Sequence, residues 1–184
     1  MRKIIHFVHT SLDGFIEGPD GAFDWPVMSP ELSAYGSQLN EGTDTFLYGR
    51  VVWEMMSGFW PQAESMSDHP HDLAFAPIWR ETAKLVVSTT LEKAGWNTTV
   101  IDSAEALADL KQQPGGNLLL TGGAALATSV EQLGLLDERH IVVHPVVLGG
   151  GKRLFPEGLP RRTATLVESR PLDDRVVLLR HALV

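Results

Sequence analysis

No cysteine occurs in the 184 residues. That absence excludes a disulfide framework, a thiolate nucleophile and any cysteine-ligated metal site. Basic residues are few beside acidic ones, 15 against 23, for a formal net charge of -8. Nonspecific nucleic-acid binding is driven by basic surface releasing counterions from phosphates, so it is excluded as well. No apolar run approaches the roughly 18 residues of a membrane span. The opening "MRKIIHFVHTSLDG" sets two basic residues ahead of apolar ones, but His6 and His9 interrupt them and no small-residue cleavage site follows. It reads as a first strand and not as a signal peptide, with a cytoplasmic location as the default.

What is present is an ordinary folding composition, 43% hydrophobic and 21% charged, with a length that suits one core and hence a single domain over 1–184. "KIIHFV" (3–8), "TFLY" (45–48), "KLVVS" (84–88), "TTVI" (98–101) and "NLLLT" (117–121) are short apolar runs of strand type. "SLDGFIEGPDG", rich in glycine, reads as loop. Ser29-Pro30 caps and opens a helix carrying Leu32, Tyr35 and Leu39. Further helices are expected over "RVVWEMM", around 72–81, after a Ser103 cap, and after Gly123 with Leu126, Val130 and Leu133 on one stripe and Gly134 as its stop. The stretch 57–72, with Gly58, Pro61 and Pro70, is the least regular and is expected to be a mobile loop. "RHIVVHPVV", "TATLVES" and "RVVLLR" follow without helices between them. The pattern predicts an α/β fold with a mixed sheet, helices on both faces and an antiparallel C-terminal edge.

In such a sheet ligands bind beyond the carboxyl ends of the parallel strands. Three of those ends are unusual. Gly122 and Gly123 remove side chains ahead of a helix, where a pyrophosphate can meet free N–H groups, although tight turn geometry also selects glycine. Arg50 opens a helix, where its charge opposes the dipole, so it faces either an anion or Glu54 four residues on. Ser88, Thr89 and Thr90 offer hydroxyls to a ribose phosphate or to their own turn. "GGGKR" (149–153) resembles a phosphate loop but has Val146 and Arg153 where that motif needs glycine and a hydroxyl. His69 and His71 lack companions for a metal site, and none is expected.

"TSLDGFIEGPDGAFDWP", "FLYGRVVWEM", "KLVVSTTLEKAGWNTTVI", "LLLTGGAALATSVEQLGLLDE" and "VVHPVVLGGGKRLF", in this order, resemble the dihydrofolate reductase-like superfamily. More narrowly the chain is similar to the C-terminal reductase domain of the bifunctional riboflavin-biosynthesis deaminase-reductase. The resemblance covers about residues 3–180 and implies a three-layer fold with about eight strands, an NADPH site and a homodimer. It implies cofactor contacts at Gly49, Arg50, Val52, Ser88, Thr89, Thr121, Gly122, Gly123 and Ala124. Val52 stands where the family pattern has threonine. Phe7 and Thr121 stand where the riboflavin-pathway reductases have a lysine and an acidic residue.

The implied activity is NADPH-dependent reduction of a small planar heterocycle, such as the 5-amino-6-(5-phosphoribosylamino)uracil of riboflavin biosynthesis. A dihydrofolate or pterin reductase, or a dinucleotide-binding module without turnover, are the other readings. The loop after the first strand is placed to cover the nicotinamide. There Asp13 either anchors the loop or polarises substrate, and Asp24 and Trp25 are candidates for substrate contact. Glu31 matches the buried carboxylate of true dihydrofolate reductases, where apolar surroundings would make it a proton donor. The helix dipole alone also favours an acid in that first turn.

Overall fold

The computed structural model describes residues 1–183. In chain order the elements are β1 (Ile4–Thr10), β2 (Phe15–Glu17), α1 (Pro30–Glu41), β3 (Thr43–Gly49), α2 (Arg50–Phe59), a single 3-10 turn (Trp60–Gln62), α3 (Ala63–Met66), α4 (Pro70–Glu81), β4 (Ala83–Val87) and β5 (Thr98–Ile101). They continue with α5 (Leu107–Gln112), β6 (Asn117–Thr121), α6 (Ala124–Gln132), β7 (Glu138–Val143), β8 (Lys152–Arg153), β9 (Ala164–Leu172) and β10 (Val176–Leu183). The main sheet has eight strands in the order β5-β4-β3-β6-β1-β7-β10-β9. The first six run parallel, and β10 is antiparallel to both β7 and β9. This is the expected mixed sheet with an antiparallel C-terminal edge, and the fold is dihydrofolate reductase-like.

Alternation along β3 shows why both faces are covered. Phe46 and Tyr48 enter one core with Phe7, Leu32, Tyr35 and Trp79, under α1 and α4. Leu47, between them, enters a second core with Leu107, Leu120, Ala127 and Val130, under α5 and α6. A period of two sends neighbours to opposite faces, and each fully buried leucine contributes about 1.5–3 kcal/mol.

Four local expectations need correction. The stretch 57–72 is mostly helical, because Pro61 falls inside the 3-10 turn and Pro70 opens α4, positions that need no backbone N–H. Ser103 does not cap α5; a turn donating from Leu107 N–H to Ala104 C=O (3.1 Å) intervenes, and the helix starts at Leu107. Leu133 lies off the buried stripe of α6 and is exposed. The loop after β1 contains β2, which pairs antiparallel with β8. A Cβ at Gly151 would lie 2.0 Å from the Glu17 carbonyl oxygen, so only glycine permits that approach.

Candidate active site

The carboxyl ends of β4, β3 and β6 lie side by side, with Gly49 opposite Val87 and Leu47 opposite Leu120. The three unusual turns therefore share one edge of the sheet. Gly49 precedes α2 in extended conformation, and a Cβ there would sit 3.7 Å from Leu126, so α6 packs beside this turn. Gly122 and Gly123 have φ of +62° and +67°, a left-handed pair that residues with side chains adopt only under strain. α6 begins at Ala124, and its first turn leaves N–H groups without intrahelical partners, donors suited to an anion.

The glycine turn is held from below. Gly122 N–H donates to the Phe7 carbonyl (3.0 Å), and the Gly122 carbonyl lies 3.0 Å from His6 Nε2. His6 Nδ1 accepts from Arg139 Nε (3.2 Å), which leaves Nε2 to carry the proton and donate. Burial first, and then the charge of Arg139, lower the pKa of His6 to about 3, so the ring stays neutral. Sequence reasoning missed His6; its only signal was a polar residue within a buried strand.

Around this turn the anticipated cofactor residues take definite places. The methyl groups of Val52 lie against the glycines, and a Cβ at Gly123 would come within 3.2 Å of Val52 Cγ2. Arg50 is exposed and donates from Nη1 to Glu54 Oε1 (2.9 Å), the second of its two expected partners. Ser88 Oγ accepts from the N–H groups of Thr90 (3.2 Å) and Leu91 (3.0 Å), tying its own turn, while Thr89 is exposed. Thr121 lies opposite Phe7 in the sheet, and Ala124 is buried.

Asp13 is an anchor. Its Oδ1 accepts from Ser11 Oγ (2.6 Å) and Leu148 N–H (3.1 Å), and Oδ2 accepts from Gly149 N–H (2.8 Å). The Ser11 hydroxyl and these N–H groups lower its pKa to about 2, so it has no proton to give near neutrality. Glu31 also departs from the catalytic expectation. It is exposed, accepts from Asp173 N–H (2.8 Å), and its own N–H donates to Asp173 Oδ2 (2.7 Å). This reciprocal clasp on the β9–β10 turn replaces the apolar surroundings a buried proton donor needs.

Asp24 is exposed, whereas Trp25 is half-buried and edge-on to Phe23 (5.6 Å) and His144 (5.5 Å). Beside them His9 Nδ1 and His144 Nε2 are 2.8 Å apart, a pair that links the ends of β1 and β7. His69 accepts from His71 N–H (3.2 Å) at the start of α4, and His71 Nδ1 lies 2.9 Å from Ser33 Oγ. Among the described residues no group of three or more potential ligands is arranged to hold a metal ion, and no helix is long and apolar enough to cross a membrane.

At the opposite edge a cleft of about 350 Å³ is lined by Lys3, Tyr35, Asn117, Glu138, His140 and Arg180 among others. Its polar groups satisfy one another. Glu138 accepts from Lys3 Nζ (2.7 Å) and Arg180 Nη2 (3.1 Å) and lies 2.9 Å from His140 Nε2, whose Nδ1 meets the Tyr35 hydroxyl at 2.7 Å. Burial alone would raise the pKa of Glu138, but the bonds from Lys3, His140 and Arg180 outweigh it and hold the group at about 2.

Residues 2–178 match the family described as RibD C-terminal domain. The chain is 35% identical over 178 residues to the uncharacterised protein YyaP of Bacillus subtilis (strain 168), covering 96% of this chain and 92% of that one. Its fold is similar to that of a putative riboflavin biosynthesis protein from Shewanella sp. PV-4, with a TM-score of 0.74 at 23% identity over 99% of both chains. It is also similar in fold to the Thermotoga maritima diaminohydroxyphosphoribosylaminopyrimidine deaminase/5-amino-6-(5-phosphoribosylamino)uracil reductase, with a TM-score of 0.67 at 14% identity. That match covers all of this chain and 57% of the Thermotoga one. On the family match and the extent of the YyaP relationship, the chain belongs to the RibD C-terminal domain family.

Proposed function

We propose that the protein is an NADPH-dependent reductase of a small planar heterocycle. The observation that carries this reading is the adjacency of three strand-end turns, with the left-handed Gly122–Gly123 pair at the start of α6. The fit to a dinucleotide is physical: a turn without Cβ atoms, free helical N–H groups beside it and an exposed arginine together suit a pyrophosphate. Gly122, Gly123, Ala124 and Thr121 would hold the pyrophosphate, Gly49, Arg50 and Val52 would border it, and Ser88 and Thr89 would meet the ribose phosphate. Arg50 is available because an exposed i,i+4 ion pair is worth only about 0.3–0.5 kcal/mol. When bound, NADPH supplies the hydride; the chain's part is to orient the ring and exclude water. Trp25 and Asp24 border the substrate in this reading, Asp13 fixes the covering loop, and the protein works as a homodimer in the cytoplasm.

Val52 favours a second reading, a dinucleotide-binding module without turnover. Its methyls press on the glycine turn where the family pattern has a hydroxyl. Calorimetric titration with NADPH and NADP, followed by the absorbance of the reduced nicotinamide over a panel of pterins, pyrimidines and phosphoribosylaminouracil, separates the two. Cofactor binding with oxidation by any member supports the reductase. Binding without oxidation supports the module, and no binding overturns both.

A further inference from the structure

His6 and Arg139 stand opposite each other on β1 and β7 and are 0% and 5% exposed. Polar groups taken so far from water cost stability unless each finds a partner. Here each does: Arg139 donates from Nη2 to Glu131 Oε2 of α6 (2.8 Å) and from Nε to His6 Nδ1 (3.2 Å), and His6 Nε2 meets the Gly122 carbonyl at 3.0 Å. α6 starts at Ala124, two residues after Gly122. The bonds therefore close a ring through the helix, tying both of its ends to β1 and β7.

The bond to Gly122 decides what the turn can offer. The peptide between Gly122 and Gly123 is trans, and in a planar trans unit the C=O and the N–H point opposite ways. With the Gly122 carbonyl drawn toward His6 on β1, the N–H of the same unit, that of Gly123, is turned away from β1. β6 lies between β1 and β3, so this N–H faces the side on which Gly49 and Arg50 open α2. Among the described residues it donates to no acceptor. The side chain nearest this glycine is Val52, whose methyl groups accept nothing. Next to the free N–H groups of the first turn of α6, the Gly123 amide is one more donor left for a ligand.

We infer that His6 is a positioning residue for the cofactor: it holds the Gly122–Gly123 peptide with its N–H toward the pyrophosphate, and Arg139 fixes the imidazole tautomer that does so. The inference rests on the reductase reading, since the pyrophosphate is that of NADPH. A guanidinium only donates, so Nδ1 of His6 stays an acceptor and the single ring proton sits on Nε2. With the proton on Nδ1 instead, two donors would meet at Arg139 and two lone pairs at the Gly122 carbonyl. The peptide would then be free to turn over. Glu131 completes the arrangement by balancing the buried charge of Arg139, which lets the cation sit beside a neutral imidazole.

The test is calorimetric titration of wild type, His6→Leu and His6→Gln with NADP and with adenosine 2′-monophosphate, which carries the ribose phosphate but no pyrophosphate. His6→Leu is expected to weaken NADP at least tenfold while leaving adenosine 2′-monophosphate within twofold. His6→Gln, which returns an N–H near the place of Nε2, is expected to bind NADP within threefold of wild type. Magnetic resonance of the imidazole nitrogens in wild type is expected to find His6 protonated on Nε2 alone near neutrality. If His6→Leu does not fold, Arg139→Gln, which releases the tautomer, is expected to give a mixture of the two tautomers and about threefold weaker NADP binding. Equal NADP binding by wild type and His6→Leu, a parallel loss of both ligands, or a wild-type proton on Nδ1 overturns the role of His6 alone. Wild type that does not bind NADP overturns the reductase reading, and this role with it.

Discussion

At the amino edge of the parallel strands Glu138 meets Lys3, His140 and Arg180, and Arg2 meets Asp44 and Thr45, so each charge ends on another. At the carboxyl edge the chain offers left-handed glycines, a helix start, neutral histidines and an indole N–H with no acceptor. The cleft of about 350 Å³ is at the amino edge, over a network whose polar groups already satisfy one another. What sets the carboxyl edge apart is unsatisfied hydrogen-bonding capacity and not volume.

The strongest way to break that comparison is Gly123→Val. The new side chain would meet Val52 at a left-handed φ, and we expect more than a hundredfold loss of NADPH affinity by calorimetry. Stability should fall by about 2 kcal/mol in urea. Normal NADPH binding by this variant would remove the cofactor from the carboxyl edge. The converse probe is Glu138→Ala, which removes the partner of Lys3 and leaves Arg180 paired with Glu168 alone. A loss of about 1–2 kcal/mol is expected, chiefly from the bond to buried His140, with NADPH affinity unchanged; a folded variant that loses the cofactor would reverse the roles of the two edges.

Acid sharpens the contrast next. The folded pKa of His6 lies near 3 against an ordinary 6.5, so below 6.5 the unfolded chain binds a proton that the folded one does not. Stability on this account is complete above 6.5 and is lost as pH falls toward 3, by up to about 1.4 kcal/mol per unit. His9 and His144 act in the same direction. Urea melts at pH 7 and 5.5 should show a smaller difference for His6→Gln by about 1 kcal/mol; an identical difference would mean that His6 titrates normally. Arg50→Ala should weaken NADPH about tenfold while changing stability by less than about 0.5 kcal/mol. The smallest effect is expected from Glu31→Gln: an unchanged reduction rate and under about 1 kcal/mol of stability. A rate lowered by orders of magnitude would restore Glu31 as a proton donor.

The central strands were legible because residues such as Leu118, Leu119 and Leu120 are buried whichever face they meet. The glycine turn was legible because Gly122 and Gly123 follow such a strand directly. What stayed hidden depends on pairing across the chain. His9 and His144 are 135 positions apart, and neither carries a local sign of the other. β8 has only two residues and exists through Gly151 and Glu17. Glu31 shows the opposite failure. Its place at a helix start was right, but whether apolar groups or the β9–β10 turn would surround it depended on Asp173. β9 runs past "TATLVES" through Pro171 to Leu172, because an edge strand tolerates proline.

The bonds of Asp13 and the pairing of β2 with β8 clamp the first part of the segment after β1. Only 18–28 is then left to rearrange when a ligand arrives, and a tight turn from Gly18 N–H to the Ala22 carbonyl (2.9 Å) shortens it further. Fixing a residue forfeits about 1–2 kcal/mol of conformational entropy, so a flap already ordered at its root makes ligand capture cheaper. On the proposed reading, ligand capture at this edge would require little further ordering of the chain.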